Sequence, residues 1–127
     1  DLFKFIDDGK IQGVLLISGD RHFTGAYQVN QRFIEVTSGP IGGNTAKTRN
    51  LPEMFINQGE GRFYCVYDID TRPEPPAVTL EIYRIGTGLV VRRPFTWDEV
   101  NGVGRIKPLC ARGAGRRRAL NKNPTST

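Results

Sequence analysis

Apolar residues run almost without a break through Gly13-Val14-Leu15-Leu16-Ile17-Ser18 and stop at Gly19-Asp20-Arg21-His22. Continuous Val, Leu and Ile predict a strand buried on both faces, and such a strand tends to end at a crevice. Ahead of it, Leu2, Phe3 and Ile6 have the spacing of one helical face, and Asp7-Asp8-Gly9 supplies a stop with glycine past the helix end. Residues 1–18 therefore read as the second half of an α/β unit, and a doubly buried strand calls for layers on both sides.

From Phe33 the pattern changes to alternation, with Phe33, Glu35 and Thr37 on one side and Ile34 and Val36 on the other. That predicts a half-exposed strand. It runs into Ser38-Gly39-Pro40-Ile41-Gly42-Gly43-Asn44, which reads as a plain turn, although such loops can bring backbone N–H groups close to phosphate. Asn50-Leu51-Pro52-Glu53 has the features of a helix start, with Asn50 as cap and Glu53 three residues later. A short helix through Asn57, ending at Gly59, is expected there.

Three strands follow in the pattern. Phe63, Cys65, Tyr67 and Ile69 alternate with Tyr64, Val66 and Asp68; Val78, Leu80 and Ile82 alternate with Thr79, Glu81 and Tyr83; Leu89 to Arg92 is the third. The turn Gly86-Thr87-Gly88 joins the last two into a hairpin, so the group reads as an antiparallel meander. Its aromatics are not interleaved with Arg and Lys, and are read as core and cross-strand pairs rather than as a platform for bases. Trp97-Asp98-Glu99 closes the last element.

Charge changes the picture only at the end of the chain. The net charge is +5 over 127 residues, but residues 1–104 hold 11 Lys and Arg against all 13 Asp and Glu, whereas residues 105–127 hold 7 and no acid. The chain divides accordingly into a folded portion, 1–104, and a basic, solvated, disordered tail, 105–127, containing Arg116-Arg117-Arg118. Specific nucleic-acid binding is not implied, although a basic arm can attract polyanions through counterion release. No stretch reaches the roughly 18 apolar residues of a transmembrane helix. The two cysteines, Cys65 and Cys110, form no disulfide framework, and Cys65 reads as a small buried hydrophobe.

Chemistry is expected where the apolar strand ends. In an extended segment Asp20 and His22 would project to one side with Cα atoms roughly 6.6 Å apart, at about 3.3 Å rise per residue. Side chains of that reach can converge on one metal ion or hold the two members of a metal pair. A carboxylate with an imidazole suits Zn, Fe or Mn, and a carboxylate alone suits Ca or Mg. His22 is the only histidine of the chain. Arg21 points the other way or reaches over the rim.

The apolar strand running into Ser18-Gly19-Asp20-Arg21-His22-Phe23, the segment Phe33-Ile34-Glu35-Val36-Thr37-Ser38-Gly39-Pro40 and the meander closing near Arg93-Pro94 together resemble the C-terminal part of a PhoD-like (alkaline phosphatase D) phosphatase. That branch lies in the calcineurin-like metallophosphoesterase superfamily. The resemblance spans roughly residues 11–95. It implies an α/β fold: part of a metallophosphatase-type β-sandwich, with one buried strand after a helix and then a mostly antiparallel meander. It also implies hydrolysis of phosphomonoesters or phosphodiesters by a metal-activated water. Asp20 and His22 would be metal ligands, and Arg21 a phosphate-side contact. Calcium and iron are the metals the resemblance suggests, and a periplasmic or extracellular location follows from it. The remaining ligands would lie upstream, in a missing N-terminal part of the same domain, so the isolated chain is expected to be inactive. The rival expectation is a noncatalytic β-rich domain whose basic tail binds an anionic partner.

Overall fold

The computed structural model describes residues 1–48 and 50–109. The chain is β-rich. Helix α1 (Leu2–Asp8) precedes strands β1 (Leu15–Ser18), β2 (Thr24–Val29), β3 (Phe33–Thr37), β4 (Met54–Gly59), β5 (Phe63–Asp70), β6 (Ala77–Arg84) and β7 (Gly88–Phe95), and a short helix α2 (Trp97–Val100) follows. Four strands form one open sheet in the order β1-β3-β2-β4, and three form a second in the order β5-β6-β7. Within the first, β1 runs parallel to β3, and β2 is antiparallel to both β3 and β4. Ala26, Ile34, Val36 and Ile56 from one sheet and Phe63, Leu80, Ile82 and Phe95 from the other belong to a single buried cluster. The two sheets thus pack as a sandwich around one core, as apolar faces of sheets require.

The meander forms as its alternation predicts. Phe63 to Asp70 pairs residue for residue with Arg84 to Ala77, and Thr87 N–H donates to Arg84 C=O at 3.0 Å to close the hairpin. Helix α1 is likewise where the pattern puts it, capped by Asp1, whose side chain accepts from Phe3 N–H at 3.0 Å. Ile6 is its buried residue, while Leu2 is exposed.

Four expectations are corrected. β1 is an edge strand rather than one buried on both faces; it has β3 as its sole neighbour among the described residues, and Ile17 is 71% exposed. β3 is buried on both faces apart from Glu35, because the ring of Phe3 stacks on Phe33 at 4.9 Å from one side and the second sheet covers Ile34 and Val36 from the other. The segment expected to be a helix through Asn57 is strand β4. Asn50 does not cap a helix there: its side-chain oxygen accepts from the Asn57 side chain at 2.7 Å, and Met54, Phe55 and Ile56 are buried against β2 and the core. Finally, residues 105–109 belong to the folded part. Ile106 is 4% exposed and donates its N–H to Gln28 Oε1 at 3.0 Å, and Leu109 N–H donates to Phe55 C=O at 2.9 Å. The rest of the expected tail, including Cys110 and Arg116 to Arg118, lies outside the described residues. Among the described residues no helix is long and apolar enough to cross a membrane.

Strand β2 carries no strong apolar pattern, yet five of its six residues are buried. It sits between β3 and β4, and the polar side chains of Thr24 and Gln28 are hydrogen-bonded. Gln28 Nε2 donates to Gly104 C=O at 2.7 Å, and its Oε1 receives the Ile106 N–H. Hydrogen bonding at both ends of the amide is what makes a buried glutamine tolerable at the centre of a sheet.

Candidate site at the ends of β1 and β3

Because β1 and β3 are parallel, with Ser18 opposite Thr37, the loops that follow them leave from the same rim of the sheet. The sheet order then dictates the path of the first loop. β2 lies on the far side of β3 from β1, so residues 19–23 must pass over the end of β3 to reach it. Strands two places apart are separated by roughly 10 Å, which five residues can span only by turning. The segment is accordingly a turn, with His22 in the left-handed region at φ +57°. The extended geometry expected for Asp20 and His22 is replaced by a bend between them, and both residues are exposed on the rim.

This crossing is stitched to the loop after β3. Ser38 N–H donates to Ser18 C=O at 2.8 Å, and Ala46 N–H donates to His22 C=O at 2.8 Å. Beneath it, the fully buried Thr24 clasps Gly39 in both directions: its hydroxyl donates to Gly39 C=O at 3.0 Å and accepts from Gly39 N–H at 3.1 Å. Gly39 takes φ +143°, and a Cβ there would lie 3.5 Å from Gly19 C=O. The two loops therefore form one rim, with Asp20 and His22 on one member and the glycine-rich segment Gly39 to Gly43 on the other. A Cβ at Gly42 or Gly43 would meet no atom within 4 Å, so this part of the loop is open.

Arg21 goes elsewhere. It lies over the ring of Phe23, 5.8 Å from the centroid, and lines a cleft of about 440 Å³ on the sheet face turned away from the sandwich core. Tyr27, Glu35 and Glu53 line the same cleft. Glu35 is anchored by Ser18, whose hydroxyl donates to Oε1 at 2.8 Å and lies 2.6 Å from the Thr37 hydroxyl. Burial pushes the Tyr27 phenol above its ordinary pKa; Arg21 pulls against that, and Glu35 and Glu53 add to it. The sequence pattern placed Glu35 and Thr37 on one face, but Tyr27 and Glu53 were missed because the strand bringing them there, β2, and its neighbour β4 were not recognised.

As donors for a metal, Asp20 and His22 are of the right chemistry and exposed, but they are two. Among the described residues no group of three or more His, Cys, Asp or Glu side chains is placed to hold a metal ion. Comparisons with protein-family models, curated proteins and solved structures find no match to this chain.

Proposed function

We propose that the chain is part of a metal-dependent phosphoesterase of the PhoD-like kind, contributing Asp20 and His22 to a metal centre that residues outside this chain complete. The observation that carries the reading is the paired rim: a carboxylate and an imidazole on the crossing after β1, laced to a glycine-rich loop after the parallel strand β3. Crevices outside the carboxyl ends of parallel strands are where open sheets bind ligands. In this reading further strands add to the open edge of β1 and bring the missing ligands to the same rim. A bound metal supplies Lewis acidity toward phosphate oxygens and an acidified water. This chain's own residues have simpler tasks. Asp20 and His22 donate oxygen and nitrogen, the open glycines give backbone access for an anionic oxygen, and Arg21 offers its guanidinium from the flank. Phosphate monoesters and diesters are the substrate class, and a periplasmic or extracellular location belongs to the same proposal.

Asp20→Ala and His22→Ala in the complete protein test it. Each is expected to lower bound metal and phosphoesterase turnover together while leaving the thermal midpoint nearly unchanged, since both side chains are exposed. Full metal content and turnover in both variants would remove the assignment. The present 127 residues alone are expected to show no turnover with added metal; appreciable hydrolysis by them would overturn the view that the centre is shared.

A further inference from the structure

The two sheets close on each other along one flank and stand open along the other. Phe55 of β4 meets Phe95 of β7 edge to face, with ring centroids 6.0 Å apart, and Ile106 belongs to the same buried cluster. That flank is sealed. Toward the other side, Cys65 N–H of β5 donates to the Ser38 hydroxyl at 3.1 Å, directly after β3. β4 therefore lies over β7 and the end of β3 over β5, which puts the outermost strand β1 on the β5 side. Both strands of that side lack a second neighbour among the described residues.

Two isoleucines show what this flank lacks. Leu15 and Ile17 stand in register with Ile34 and Val36, hence on the face turned to the core, and Ile34 and Val36 are fully buried. Ile17 is nevertheless 71% exposed. On β5, Ile69 pairs with the buried Val78 on the core face and is 53% exposed. Backbone groups are unpaired there as well. Because pairing with β6 alternates and Cys65 turns its N–H off the edge, Tyr67 and Ile69 turn theirs the same way. Residues 13–18 carry no charge or proline that would blunt β1 against a further strand.

The occupant is neither this chain's own end nor a second copy. Residues 110–127 follow Leu109, whose N–H is bonded to Phe55 C=O on the sealed flank, and they hold Leu120 as their one large aliphatic residue. A second copy seated across the flank would bring β5 against β5 and set Asp68 and Asp70 of both copies side by side. A separate segment escapes that repulsion. The open flank also runs up to the rim, since Ser18 ends β1 and Ser38 holds Cys65 there, beside the Asp20 to His22 crossing. Strands laid along it end where the metal centre lacks donors. We infer that the flank between β1 and β5 is the docking surface of the segment that completes this centre, and that this segment adds an extended, alternately apolar strand to each sheet; the identity of the occupant rests on the phosphoesterase reading. Main-chain hydrogen bonds to the two edges hold it, and Ile17 and Ile69 become core.

Hydrogen exchange followed by mass spectrometry, on the 127-residue chain and on the complete protein, tests the inference. In the complete protein, exchange is expected to slow about tenfold or more in β1 and at Tyr67 and Ile69 of β5, while β7, the other edge of the second sheet, is unchanged. Ile17→Lys and Ile69→Lys are expected to leave the thermal midpoint of the 127-residue chain nearly unmoved and to lower that of the complete protein. Equal exchange of β1 and β5 in the two proteins overturns the inference, and so do lysine variants without effect on the complete protein. A 127-residue chain that is dimeric by light scattering, with these same amides protected only in the dimer, assigns the flank to a second copy and also overturns it. Loss of metal in the Asp20 and His22 variants without slowed exchange at β5 sinks the docking surface and leaves the metal reading standing. Slowed exchange at both edges with metal retained in those variants supports the docking surface and removes the metal reading.

Discussion

At the scale of single residues, backbone geometry makes demands that side-chain patterns do not reveal. Gly102 adopts φ +73°, and a Cβ there would fall 2.6 Å from the Arg32 carbonyl oxygen and 2.7 Å from its Cα. Both are backbone atoms, locked from the other side by Arg32 donating to Asn101 C=O at 2.5 Å. Gly102→Ala is therefore expected to cost about 2 kcal/mol or more, combining left-handed strain with a clash that only backbone movement relieves; urea denaturation measures it. Cys65 is a milder case. Burial pushes its thiol above the ordinary value, and the hydrogen bond to Ser38 offsets this only in part. Little thiolate exists at neutral pH in the fold, so alkylation by iodoacetamide is expected to be slower in the native chain than in urea. The reading of Cys65 as a core-packing residue was legible from its place in the alternation. The exposure of Asp20 and His22 and the bend between them were not, since neither follows from residue type.

At the scale of elements, the joints matter more than the strands. The clasp of Thr24 on Gly39 joins the start of β2 to the loop after β3, under the Asp20 to His22 crossing. Thr24→Val keeps the shape and removes both bonds, and is expected to cost about 1–3 kcal/mol because a buried N–H and C=O lose their partner. Faster hydrogen exchange at the Gly39 amide is the specific readout. At the other end, α2 begins with a capping box between Thr96 and Glu99, and Arg93 of β7 pairs with Glu99 at 2.6 Å. Burial raises the Glu99 pKa, but the hydrogen bonds from Arg93 and the Thr96 backbone outweigh it and hold the carboxyl below the ordinary glutamate value. With a depressed folded pKa, the stabilisation is complete above the unfolded value and is lost as pH falls through the folded one. Glu99→Gln is therefore expected to be less stable than the parent near neutrality, by about 1 kcal/mol, with the gap closing in acid below the usual carboxylate range. Thermal melts across pH check both parts. β4 shows why the element type was misread: Asn50, Pro52 and Glu53 are local helix-start signals, but local signals are weak beside the burial of Met54, Phe55 and Ile56 against a waiting sheet edge.

For the whole molecule, closure of the core depends on a segment that composition assigned to the tail. Ile106 fills the core cluster with residues from both sheets, and Arg105 reaches Pro52 C=O at 3.0 Å. Ile106→Ala is expected to cost about 2–4 kcal/mol as a buried large-to-small change, measured by chemical denaturation. A truncation designed to isolate the basic region should accordingly begin at residue 110; removing residues 105–127 would unseat Ile106 and Leu109 and confuse loss of fold with loss of polyanion binding. The same scale decides the shape of the candidate site. Placing β2 beyond β3 forces the β1 connection across the end of β3, and that crossing makes the shared rim.

The amino-acid pattern by itself determined α1, the β3 strand, the three-stranded meander with its glycine hairpin, and the choice of Asp20 and His22 as the donors to examine. These rest on period-two or period-3.6 burial and on turn chemistry, which are properties of neighbouring residues. The tertiary structure alone decided that β1 lies at an edge, that Thr24 to Val29 and Met54 to Gly59 are strands, that Ile106 belongs to the core, and that Tyr27, Glu35 and Glu53 share a cleft with Arg21. Those outcomes depend on which strands pair across long stretches of chain, and the free energy of that pairing comes from partners distant in sequence, whose arrangement no local window contains.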